Sequence, residues 1–144
     1  MKKVGKILKL FISIKGIEKR VERESLIVDK SGILEDKFYG KDLQRSILLS
    51  SNDSYLLTKE QGINLSYGEL GENILMDFNP YSLDLGVQLQ IGEVTLEITQ
   101  ACTICNHLSK IDKKLPKLLK KDRGIFAKVV HNGTIYEDDA IFML

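Results

Sequence analysis

A chain of 144 residues, 43% hydrophobic and 28% charged, carries enough apolar material to bury a core without disulfides or metal staples. Its formal net charge of +1 gives no global pull toward nucleic acid. The apolar stretch Leu10-Phe11-Ile12 is far too short for a signal-peptide core or a membrane span, so the expected setting is cytoplasmic, with Cys102 and Cys105 kept as thiols.

In chain order, residues 4–13 form a β-capable run and residues 20–28 a more polar, edge-like one. Residues 29–45 contain Gly32, Gly40 and several charges and read as a long functional loop before a short apolar strand at 47–49. Asn52 or Asp53 is placed to cap a short helix that carries Leu56 and Leu57 and ends at Gly62. Val87, Leu89 and Ile91 alternate up to Gly92-Glu93, and Val94, Leu96 and Ile98 alternate after it, which predicts a hairpin with a type II′ turn. Leu108, Ile111, Leu115 and Leu118 are spaced to share one helical face, Ser109 and Asp112 have capping-box spacing, and Pro116 divides the segment into two short turns. Residues 125–130 and 134–136 flank Asn132-Gly133, which predicts a second hairpin with a type I′ turn. The expected fold is mainly β, a small closed or strongly curled β-barrel with a few short helices, in one domain spanning residues 1–144.

Charge is unevenly distributed. Residues 106–123 hold seven basic side chains against Asp112 and Asp122, a segment that is either a solvated helix face or a receiver for an anionic ligand. No aromatic residues interleave with these cations, so a base-stacking surface for nucleic acid is not expected.

Two further clusters bear on chemistry. In Gly68-Glu69-Leu70-Gly71-Glu72-Asn73-Ile74, two glycines bracket polar groups just before an apolar run. Such a loop brings backbone amides close to a ligand, with Glu72 and Asn73 either fixing its shape or touching the ligand; the plain alternative is a turn entering a strand. Cys102-Thr103-Ile104-Cys105 is open to several readings: dithiol exchange, part of a zinc site with His107, or a buried unreactive thiol. A thiolate is the reactive form of cysteine and a suitable soft ligand for a transition metal.

Several blocks occur in a recognisable order: Gly32-Ile33-Leu34-Glu35-Asp36-Lys37-Phe38, Arg45-Ser46-Ile47-Leu48-Leu49, the Gly68–Ile74 segment, Leu89-Gln90-Ile91-Gly92, Ile98-Thr99-Gln100 with Cys105, and Arg123-Gly124-Ile125-Phe126-Ala127-Lys128-Val129. Together they resemble the molybdenum-cofactor sulfurase C-terminal (MOSC) family across nearly the whole chain. The chain departs from that pattern at Glu35 and Asp138, where glycine is usual, and at Phe38, where histidine is common.

The resemblance implies a β-barrel and a functional Cys105, either carrying a persulfide sulfur or binding molybdenum as a thiolate. It further implies that Arg45, Glu72, Asn73, Arg123 and Lys128 form the surroundings of a molybdenum-pterin cofactor. The partners it implies are that cofactor or a sulfur donor or acceptor protein, with reductase action on N-hydroxylated substrates as one activity. A non-catalytic cofactor-binding module is the alternative. Cys102 is expected to pack locally or to resolve an oxidised Cys105.

Overall fold

Val94, Leu96 and Ile98 are buried while Thr95, Glu97 and Thr99 are half-exposed, the period-two pattern of a strand with one face in a core. The same alternation recurs along the chain and builds the sheet. The structure is a computed structural model that describes residues 1–102 and 106–144. Its strands are β1 (Lys2–Ile12), β2 (Val21–Arg23), β3 (Ser25–Asp29), β4 (Gly32–Ile33), β5 (Ile47–Ser51), β6 (Ile74–Met76), β7 (Gln88–Ile91), β8 (Val94–Ala101), β9 (Ile125–His131), β10 (Gly133–Tyr136) and β11 (Ala140–Met143). Three short helices accompany them: α1 (Asn52–Glu60), α2 (Asn106–Ile111) and α3 (Leu115–Leu118).

Seven strands close into a barrel in the order β11-β7-β8-β9-β5-β6-β1, with β1 pairing back onto β11. β2 extends the sheet beside β1, and β10, β3 and β4 form a separate three-stranded sheet. The barrel is mainly β and closed, as the sequence predicts. Its interior is aliphatic, with Ile7, Ile47, Leu49, Ile74, Leu89, Ile91, Leu96 and Ala127 fully buried.

The β5–β6 pair is parallel within an otherwise antiparallel ring. A parallel pair needs a crossover, because its second strand must start at the end where the first began. That crossover carries α1 and the glycine-bracketed loop, and so delivers residues 68–73 to the β5 entry end of the barrel. A second apolar cluster outside the ring joins Tyr55 of α1, Leu70 of the loop, Leu108 of α2, and Leu115 and Leu119 from α3 and its end.

The first hairpin forms as expected: Ile91 pairs with Val94, and Gly92 has φ 58, the left-handed value its turn requires. The second does not form. β9 is occupied on both edges by β8 and β5, so β10 leaves the ring and pairs with β3, and neither Asn132 nor Gly133 adopts the positive φ of a type I′ turn. The polar run at 20–28 divides between two sheets, β2 beside β1 and β3 beside β10.

Helix ends differ in detail from the sequence reading. Ser51, not Asn52 or Asp53, caps α1, its side chain accepting the Asp53 amide at 3.0 Å. Ser109 lies inside α2 rather than opening a helix, and Asp112 instead accepts the Lys114 amide at 2.8 Å in the link to α3. No helix among the described residues is long and apolar enough to cross a membrane.

Candidate functional site

At the β5 entry end, Arg45, Asn73, Arg123 and Cys102 line one chamber of about 290 Å³. Each comes from a different element. Arg45 ends the 3-10 turn Leu43–Arg45, which starts at Asp42, whose carboxylate accepts the Gln44 amide at 3.1 Å. Asn73 precedes β6, Cys102 follows β8 and Arg123 leads into β9, with the Cys102 amide donating to the Gly124 carbonyl at 3.0 Å.

Three guanidiniums dominate the chamber. The Arg45 guanidinium carbon lies 4.7 Å from the centroid of the Phe126 ring, a stacked arrangement that fixes its plane. Arg20 and Arg123 approach each other across Gly71: a Cβ there would lie 3.6 Å from Arg20 Nη2 and 3.7 Å from Arg123 Nη2. Gly71 has φ 85, a left-handed conformation that favours glycine at this point. Arg123 Nη2 donates to the Leu70 carbonyl at 3.4 Å.

Arg20 was not anticipated as a site residue. It lies 3.8 Å from Asp36, and burial pulls its guanidinium below the ordinary value; the charges of Asp36 and Glu72 act the other way, and Arg123 pulls it further down. Asp36 is buried and organises the neighbouring loop, accepting the Ser13 amide at 2.7 Å and the Phe38 amide at 3.0 Å. With Lys41 and Asp42 also lining the chamber, four cations face two carboxylates there. Arg45 Nε is buried with no hydrogen-bond partner among the described residues, and Arg20 Nη1, also buried without a hydrogen bond, is in the 3.8 Å ion pair with Asp36. Buried donors of this kind are normally satisfied, and an oxyanion supplies the matching acceptors.

The glycine loop is held from behind. The Tyr55 hydroxyl donates to Glu72 Oε2 at 2.6 Å and accepts the amides of Gly68 at 3.0 Å and Leu70 at 3.3 Å. Burial pushes the fully enclosed Glu72 carboxyl up from its ordinary value, against the opposing hydrogen bond from Tyr55. Burial and the neighbouring Glu72 push the Tyr55 phenol up. Glu72 therefore sits behind the chamber wall as a shape-fixing residue. Asn73 lines the chamber, but both ends of its amide bond backbone groups, Leu48 N at 2.9 Å and Phe11 O at 3.3 Å.

Of the residues named from the sequence, Arg45, Asn73 and Arg123 come together. Lys128 does not line this chamber; it sits on β9 with its ammonium 3.3 Å from Glu97, its cross-strand neighbour on β8. Cys105 lies outside the described residues. Besides these, Asp36, Phe38, Gly71 and Cys102 line the same chamber.

A larger chamber of about 550 Å³ adjoins the first and shares Arg20, Phe38, Gly71 and Arg123 with it. Its own lining adds Lys19, Lys37, Tyr67 and His107. His107 Nε2 lies 2.9 Å from the Glu69 carbonyl; because a carbonyl only accepts, this nitrogen carries the proton, and the bond ties α2 to the glycine loop.

The model of the MOSC domain matches residues 35–142. This chain belongs to the MOSC domain family. That family is linked to molybdenum-cofactor-related function. The YUAD protein of Bacillus subtilis is similar in structure, with a TM-score of 0.84 at 17% identity over 95% of this chain and 93% of that one. YiiM of Geobacillus stearothermophilus gives 0.71 at 15% identity over 99% and 74%, and YiiM of Escherichia coli gives 0.69 at 16% over 100% and 70%. At these identities the likenesses carry the fold of the MOSC domain alone. Comparison with curated proteins yields no sequence match.

Proposed function

We propose that this MOSC domain handles sulfur for, or binds, the molybdenum-pterin cofactor, with Cys105 as the working sulfur and Arg20, Arg45 and Arg123 holding anionic groups of the ligand. The observation that carries this reading is the convergence of three guanidiniums on one chamber, two of them with buried nitrogens that make no hydrogen bond among the described residues. Phosphate oxygens match such donors in charge and geometry. When bound, the cofactor supplies metal-centred redox chemistry, such as reduction of N-hydroxylated compounds.

The residues of the chain have separate tasks. Arg45, fixed against Phe126, and Arg123, tethered to Leu70, orient the anion. Tyr55, Glu72 and Asn73 keep the loop and strands in place around it. Cys105, three residues after the chamber-lining Cys102, takes up sulfur from a donor persulfide. Its thiolate attacks the donor's outer sulfur, a new S–S bond forms, the donor's S–S bond breaks, and the donor leaves as a thiolate.

The test is purification under reducing, anaerobic conditions, followed by intact mass, metal content and pterin fluorescence. One added sulfur on Cys105, or molybdenum with pterin, is the expected result. Persistent absence of both, after incubation with a persulfide donor and with free cofactor, overturns the proposal.

A further inference from the structure

We infer that Tyr81, Ser54 and Ser50 are positioning residues of the smaller chamber, a set of buried hydroxyls that holds the backbone on both sides of Arg123 and so aims its guanidinium at a bound anion. This rests on the proposed role of that chamber in holding anionic groups.

The need arises where a ladder stops. β5 and β9 pair from Ile47 with Ala127 to Leu49 with Ile125, and the ladder ends there. The residues that lead into β9 are already buried at Arg123 and Gly124, so their carbonyls need donors from outside the sheet. The backbone presses close on β5 at this point: a Cβ on Gly124 would lie 2.8 Å from Leu48 Cδ1 and 3.2 Å from the Leu49 carbonyl oxygen. β5 itself turns from aliphatic to hydroxyl here, ending in Ser50 and Ser51, both fully buried. Ser50 Oγ donates to the Arg123 carbonyl at 2.9 Å. Ser54, fully buried on α1, donates through Oγ to the Asp122 carbonyl. Side chains thus hold both peptide carbonyls that flank the Arg123 Cα.

A hydroxyl carries one proton, which sets the direction of the chain. The Ser54 proton goes to Asp122, so the 2.6 Å contact between Ser54 Oγ and the Tyr81 hydroxyl uses the phenol's proton. For that proton Ser54 is nearer than the Arg123 carbonyl at 3.5 Å. The Tyr81 oxygen in turn accepts the Ser51 amide at 2.8 Å. Burial pushes the Tyr81 phenol up, which keeps its proton in place. Asn79 sets Tyr81, its Oδ1 accepting the Tyr81 amide at 3.0 Å and its Nδ2 donating to Asp53 of α1 at 3.1 Å. Backed in this way, Arg123 reaches the Leu70 carbonyl and the face of Gly71 from a fixed base. A planar guanidinium fork holds an oxyanion best when it is aimed beforehand, so loosening the base costs affinity.

The test compares the full wild-type chain with Tyr81→Phe, Ser50→Ala and Ile141→Val, the last a change in the barrel interior outside the chamber lining. Calorimetric titration reads the affinity for inorganic phosphate, the Arg123 Nε–H resonance reads the guanidinium, and urea denaturation reads the fold. Tyr81→Phe and Ser50→Ala are expected to weaken phosphate binding about tenfold, the loss typical when an outer hydrogen bond that orients a binding group is removed, and to move the Arg123 resonance. Ile141→Val should lower the urea midpoint and change neither. If Tyr81→Phe does not fold, Ser50→Ala decides alone. Wild-type affinity in either folded variant, or an equal loss in Ile141→Val, overturns the inference and leaves the proposed function standing. A wild type that binds no phosphate overturns the inference together with the anion-holding part of that function, while sulfur on Cys105 is still read separately by mass.

Discussion

Asn73 fastens β5 to β1: its Oδ1 accepts the Leu48 amide at 2.9 Å, and its Nδ2 donates to the Phe11 carbonyl at 3.3 Å. Its own backbone repeats the bridge, its amide donating to the Leu48 carbonyl and its carbonyl accepting from the Phe11 amide. One residue thus spans the two strands just before β6 enters between them. Asn73→Ala leaves a buried amide on Leu48 without an acceptor, a loss of about 1–3 kcal/mol. Urea denaturation should show that loss as a lower midpoint, and full retention of stability would remove the bridge from the account.

Glu35 and Asp138 are the non-glycine residues with positive φ among those described, at 73 and 68 degrees. Left-handed backbone costs an ordinary side chain about 1–2 kcal/mol, and glycine returns part of that as lost chain entropy. Glu35→Gly should therefore stabilise the protein by roughly 0.5–1 kcal/mol. Asp138→Gly should gain less, because aspartate tolerates this region better. Thermal unfolding of the two variants checks both the sign and the order.

Glu72 makes stability fall with rising pH. Burial raises its pKa in the folded state, so between the ordinary value of 4.5 and the raised one the folded chain holds more protons than the unfolded chain. Folding is favoured most below that window, and the penalty for ionising the enclosed carboxyl is complete above it. Glu72→Gln removes the titration and should flatten this part of the stability–pH curve. Parallel slopes for variant and wild type from pH 4.5 upward would contradict the argument.

Arg45→Gln removes the guanidinium stacked on Phe126 and with it a charge-assisted hydrogen bond to a bound oxyanion. Such bonds contribute about 1.5–3 kcal/mol, so inorganic phosphate should bind on the order of tenfold more weakly. Arg45→Lys should recover only part of the loss, since an ammonium lacks the planar fork. Isothermal titration at low salt separates the three proteins.

Cys105→Ser should abolish sulfur loading, while Cys102→Ser should keep most of it. Intact mass after incubation with a persulfide donor reads the added sulfur directly, and far-UV circular dichroism reports the fold. Equal loading of Cys105→Ser and wild type would move the chemistry elsewhere.

The parts legible in the sequence are those governed by near neighbours. Alternation around Gly92 gave β7 and β8 because a two-residue turn fixes its own register. The Asn132-Gly133 signal misled because barrel closure had already committed both edges of β9, a fact set by strands far away in sequence. Arg45, Asn73 and Arg123 were found through family resemblance, and the structure brings them to one chamber. Arg20 was missed because Glu18-Lys19-Arg20 reads as an ordinary solvated run; its burial depends on Asp36 and Gly71. Lys128 entered through the same resemblance, and its cross-strand partner Glu97 is visible only once the β8–β9 register is known.

The pairing of β1 with β11, which joins Lys2 to Met143, also sets an order of events in folding. The ring stays an open, curled sheet until residues 140–143 dock, so β1 and β7 present unpaired edges until then. Contacts of such long sequence separation slow folding, because the chain entropy of closing the loop is lost before any contact repays it. On a ribosome, β11 is the last of the seven strands to emerge, and the barrel locks only after synthesis has passed it. A ligand that needs the finished chamber would then load after translation of this segment, and truncation before Ala140 would leave an aggregation-prone sheet in place of a weakened barrel.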